Sequence, residues 1–180
     1  MKLKMKKLLV AVVILLTTIA SAQKNSILLG GNVGFSSEKI GDSKLENFEF
    51  SPKVGYQFAD QWTVGVEGSI MNVKTTGEDI TEKYKIGGFL RYTVPLSDTF
   101  SVFGDLGAGY QSTNVNDAKG MYASLTPALF INMKRGFGLN FSIGGINYDN
   151  LDGKNDPRQE RLGFNFGKTL SIGISKNFGL

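Results

Sequence analysis

From Ser26 onward the chain alternates apolar and polar side chains with a period of two, and the pattern recurs eight times. Over residues 26–35, Ile27, Leu29, Val33 and Phe35 share one parity, while Gly30, Asn32 and Gly34 take the other. A strand sends successive side chains to opposite faces, so each such run predicts a strand with one greasy face and one polar face. Comparable runs cover residues 47–58, 62–71, 83–94, 99–111, 121–133 and 137–148, and an eighth begins near Leu162 and continues to the end. Pro52 falls on the apolar parity of the second run, where its missing N–H predicts a bulge or a local break. Polar, charged stretches at 36–46, 72–82, 112–119 and 149–160 predict long loops, alternating with short turns at 59–61, 95–98 and 134–136.

Connections that alternate long and short belong to an up-and-down meander. Each run is long enough to cross a bilayer as a tilted strand. In lipid every backbone group needs a partner, so the sheet must close. The expected fold is therefore all-β, an eight-stranded antiparallel up-and-down transmembrane β-barrel spanning residues 23–180. Short turns would lie at the periplasmic rim and long loops at the cell surface.

The first 22 residues fit a different role. Lys2, Lys4, Lys6 and Lys7 precede the apolar run Leu8–Leu16, and Ala20-Ser21-Ala22 has the small-residue form of a cleavage site. These are the three parts of a secretory signal peptide, with Ala20 and Ala22 as the recognised residues and the cut before Gln23. The apolar run is short for a spanning helix, which needs about 20 residues. The four lysines also account for the whole formal charge of +4; the rest of the chain carries 16 residues of each sign. That balance gives no electrostatic case for nucleic acid. Without cysteine there is no disulfide or thiolate ligand, and without histidine the commonest general base and metal ligand are missing. No cofactor, metal site or catalytic residue is expected.

Aromatic residues gather near the turns. Tyr56, Phe58, Trp62, Tyr92, Phe100 and Phe137 lie by the short ones, and Phe35, Phe48, Tyr84 and Tyr110 by the long ones. Two such girdles mark the interfaces of a transmembrane barrel. On the inward parity, Lys53, Glu67, Arg91 and Asp105 lie at similar heights on successive strands with alternating sign, and Lys85 shares their face. Charges in a narrow lumen need partners. The expectation is an ion-paired layer, with Phe89, Phe103, Met71, Phe130 and Tyr122 filling further space.

The pattern and length resemble the small eight-stranded outer-membrane barrels of the OmpA/OmpX-like group, and most of all the unattached porin-family barrel domains common in Bacteroidetes-type bacteria. The resemblance covers Gln23 to Leu180. It implies a Gram-negative cell outer membrane location, reached through the inner membrane by the cleaved signal. Leu170, Ile172, Ile174 and Phe178 look like the terminal assembly signal of that group, which implies the outer-membrane barrel assembly machinery as a partner. The group usually ends on the aromatic residue, whereas Gly179 and Leu180 follow here, and Lys176 sits on the outward parity. Lys168 has that parity too and is expected to mark the outer boundary or a bulge.

Three functions fit these features. The first is a structural or surface-interaction barrel with an ion-paired lumen and polar loops outside, monomeric, in contact with outer-membrane lipid and lipopolysaccharide. The second is a small porin or channel for ions or small solutes. The third is an exported soluble barrel resembling lipocalins, against which the polar inner parity and continuous apolar outer parity argue. The Asp149–Asp156 stretch is rich in oxygen ligands but fails the calcium-loop register: the first position is Tyr148 and the closing one Gln159. Mass spectrometry of the exported protein should find Gln23 at its N-terminus; an intact Met1–Ala22 segment would refute the signal reading.

Overall fold

The computed structural model describes residues 26–77, 79–135, 137–153 and 158–179. The signal-peptide reading, with Ala20 and Ala22, lies outside these residues. Eight strands run β1 (Ser26–Ile40), β2 (Ser43–Gln57), β3 (Trp62–Thr75), β4 (Thr81–Pro95), β5 (Phe100–Thr113), β6 (Lys119–Lys134), β7 (Phe137–Asp152) and β8 (Gln159–Gly179). Each pairs antiparallel with its chain neighbour, and β1 pairs with β8 to close a barrel. One 3-10 turn, Val115–Asp117, lies between β5 and β6.

The strands are longer than the alternation predicts, and the long loops are correspondingly short. Residues 36–46 form a hairpin, paired up to Ile40↔Ser43 and turned by Gly41 at φ +61° and Asp42. Residues 149–152 belong to β7 and 159–161 to β8. The pattern fades there because side chains above a bilayer need no apolar face, although the backbone ladder continues. Fifteen residues at ~3.3 Å rise and a tilt near 40° give roughly 38 Å of height, more than a ~25 Å apolar band.

The expected break at Pro52 takes a mild form. The ladder to β3 is interrupted between Phe50↔Ile70 and Lys53↔Glu67, with no slip in register. A larger irregularity joins β7 to β8. The pairing jumps from Ser142↔Ser171 to Gly144↔Phe166, leaving one residue on β7 against four on β8. Gly144 and Gly167 take positive φ there, at +113° and +71°. Lys168 lies within this bulge. The bulge also reverses parity in β7, so that Ile143 and then Ile146 are the exposed apolar residues.

The outer face carries the apolar parity, exposed on every strand. Phe58, Trp62, Tyr92, Phe100 and Phe137 stand exposed beside the short turns, and Tyr56 is half-buried in the same belt. Trp62 and Tyr92 pack with ring centroids 4.7 Å apart, and the Tyr92 hydroxyl donates to Gln61 Oε1 at 2.9 Å. Leu170, Ile172, Ile174 and Phe178 all face outward on β8. Lys176, between the last two, reaches down the wall to donate to the Arg135 carbonyl at 2.9 Å and passes 5.6 Å from the Phe178 ring centre. A lysine can hold this outward position because its long stem carries the ammonium to the rim.

Trp62 is the single tryptophan of the chain. In vesicles its fluorescence should be quenched most by lipids labelled near the headgroup; strongest quenching from the chain end would place the belt at the wrong depth.

Candidate functional site in the barrel lumen

The polar parity meets in the lumen. Odd-numbered residues of β2, β3, β4 and β5 point inward, so direct partners on adjacent strands put their side chains side by side. Lys53↔Glu67 and Arg91↔Asp105 are two such partner pairs. Lys53 Nζ lies 2.9 Å from Glu67 Oε2. Arg91 makes a two-pronged contact with Asp105, with Nε 2.6 Å from Oδ1 and Nη2 2.9 Å from Oδ2. The two pairs are joined because Lys53 Nζ is also 2.9 Å from Asp105 Oδ2. This last contact crosses the lumen from β2 to β5, past two intervening strands.

The chain of contacts continues beyond the four expected charges. The Tyr122 hydroxyl on β6 donates to Glu67 Oε1 at 2.9 Å. The ammonium of Lys85 sits 4.9 Å from the centre of the Tyr122 ring and donates to Asp149 Oδ1 on β7 at 2.8 Å. Arg91 stacks 3.7 Å above the Phe103 ring centre, and Lys53 lies 5.1 Å from that of Phe89. Six strands thus contribute to one connected set. All five expected charges belong to it, and Asp149 is an addition. It falls in the polar, charged stretch 149–160, which the sequence pattern assigns to a loop.

Burial is graded along the set. The side chains of Asp105, Arg91, Glu67 and Lys53 are 6%, 10%, 11% and 22% exposed, while Lys85 and Asp149 reach 34% and 29%. The first four therefore sit where water screens little and pairing matters most. Lys85 and Asp149 lie nearer the open mouth.

Glycines make the room. A Cβ on Gly107 would collide with the Glu67 carboxylate, and one on Gly55 would come within 2.9 Å of the Phe89 ring. Inward glycines on the wall let long charged and aromatic side chains lie flat across a narrow lumen. Two cavities, of about 50 and about 70 Å³, share Leu28, Arg91, Phe103 and Ser175 as a common wall. Both have room for ordered water among these polar groups. Among the described residues no group of three or more acidic side chains is placed to hold a metal ion.

Asp105 compensates two cations. Asp105→Asn should destabilise the barrel by about 3 kcal/mol or more, the cost of leaving a buried charge unpaired. Lys85→Met, at the wetter end, should cost no more than about 1 kcal/mol. Urea unfolding in lipid vesicles measures both, and equal losses would contradict the gradient.

A family model described as an outer membrane protein beta-barrel domain matches residues 8–128. No curated protein sequence matches the chain. Among solved structures, the chain is similar to the outer membrane protein OprG of Pseudomonas aeruginosa at 14% identity, with a TM-score of 0.49, over 88% of this chain and 97% of that one. Ail of Yersinia pestis is similar at 16% identity, with a TM-score of 0.44, over 87% and 100%. The outer membrane enzyme PagL is similar at 8% identity, with a TM-score of 0.40, over 87% and 99%.

Proposed function

With more than half of its length matched by the family model, the chain belongs to the outer membrane protein β-barrel family, and from that premise we propose that it is a non-conducting barrel with a structural or surface-interaction role. The observation that carries the reading is the Lys53–Asp105 contact across the lumen, with Arg91 held between Asp105 and the Phe103 ring. These groups neutralise one another, so none is left to draw an ion through. A solute would have to part a connected set of charges and rings and leave them unpaired as it passed.

With the lumen occupied, the surface remains for recognition. The β1–β2 hairpin carries a Lys44–Glu46 pair at 2.6 Å, and Arg158, just before β8, pairs with Glu160 at 3.0 Å, all well exposed or half-exposed. Mixed-charge tips of this kind suit contact with lipopolysaccharide or a protein partner. Catalysis is not part of the reading. Glu67 and Asp105 are both engaged by cations, and the chain has no histidine to serve as a general base beside them.

Planar-bilayer recording tests the proposal. The refolded wild-type barrel should be electrically silent, and Arg91→Ala should introduce a measurable conductance or lower the unfolding midpoint. A steady wild-type conductance would make this a small porin whose inward charges set its selectivity.

A further inference from the structure

The barrel wall is not closed to the same height all the way round. β1 and β8 pair over seven positions, from Ser26↔Gly179 to Asn32↔Gly173. Above that point β1 continues to Ile40 in a ladder with β2 alone, and β8 descends from Gln159 in a ladder with β7 alone, interrupted at the 167–170 bulge. The glycines trace the parting. A Cβ on Gly30 would come within 2.7 Å of Ser175 on the opposite strand. One on Gly34 would meet nothing nearer than Glu49 of β2, at 3.7 Å, and one on Gly163 nothing nearer than Asn147 of β7, at 3.9 Å.

This seam opens at membrane depth. The outward side chains along it are Val33 and Phe35 on β1 and Leu162, Phe164, Phe166 and Leu170 on β8, all between 60% and 75% exposed. Apolar residues at this height place the adjoining backbone edges beside lipid. An unpaired N–H or C=O there costs several kcal/mol, and a free edge is a template for another strand.

We propose that a second copy of the chain completes the seam, with β1 of each copy pairing with β8 of its partner. The orientation imposed by the membrane favours this occupant. Two copies share one direction and one depth, which allows a twofold axis along the membrane normal to relate them. β1 and β8 run in opposite directions, and such an axis therefore creates two antiparallel ladders at once. The contact is isologous and uses both free edges of both copies, so assembly stops at two. A foreign strand inserted into one seam would instead be antiparallel to one edge and parallel to the other. Continuing the register of Asn32↔Gly173 sets Phe35 of one copy opposite Leu170 of the other, both outward, which extends the apolar face up to the 167–170 bulge.

The chain has no cysteine, which makes a clean test possible. Phe35→Cys and Leu170→Cys are refolded separately in lipid vesicles, checked by heat-modified gel mobility, co-reconstituted and oxidised. The expected product is the mixed disulfide dimer, in excess over both like-with-like dimers and persistent as lipid is added. Statistical proportions, or loss on dilution with lipid, would mean random collision and overturn the proposal. The double variant carrying both cysteines in one chain provides the second arm. If it closes within the single chain even at high protein density, the seam zips on itself and the dimer is refuted. A lack of disulfide in either arm also refutes it.

Discussion

Lipid offers no hydrogen bonds to a backbone, and the rest of this molecule follows from that. Strands must find strands, and eight of them close a narrow cylinder whose outer parity is apolar. The inner parity is then left to polar residues in a space too small to hold them as solvated groups. Lys53, Glu67, Arg91 and Asp105 answer this by pairing with one another, and the glycines facing them give up their side chains to let them lie down. The distribution of residue types across the wall is one solution to a single solvation problem.

Buried ion pairs are poor stabilisers, because desolvation offsets most of their attraction. Their value here is better sought in specificity. Lys53↔Glu67 and Arg91↔Asp105 are direct ladder partners. A slip of one residue would turn an entire strand inside out, carry its charge into hydrocarbon and leave that charge's partner unpaired in the lumen. The correct register therefore stands apart from its neighbours by far more than the pairs contribute to folding. The interrupted ladder at Pro52 lies directly beside Lys53, so the charge pair adjoins the point where the β2–β3 backbone pairing is weakest.

Fold class and strand order were legible because the alternation in residues such as Tyr84, Ile86, Leu90 and Tyr92 is imposed by the bilayer itself. Strand ends were not, because the imposition stops at the interface: Glu38, Lys39 and Lys44 sit in a ladder that no hydrophobic pattern advertises. The lumen charges were legible by parity and height. The contact from Lys53 to Asp105 was not, since reach across a cylinder depends on how far each side chain bends. Asp149 was hidden in the charged stretch 149–160, which carries no apolar parity to mark it as strand, and the role of the Tyr122 hydroxyl by the breadth of uses that a tyrosine admits. The parted seam between β1 and β8 leaves no trace in composition, because Phe35 and Leu170 would be apolar whether the wall closed or not.

The hairpins that stand above the bilayer are stiffer than loops of the same sequence would be. Residues 36–46 are tied by a ladder up to a two-residue turn, so their exposed side chains are presented on a fixed lattice. Anything that recognises this surface pays little ordering entropy on contact. What it reads is a shape made from two strands, not a stretch of sequence. Antibodies raised against the folded protein at this tip should therefore be conformational, blind to the unfolded chain, and sequence drift that preserves the ladder could change the tip's chemistry without altering its form.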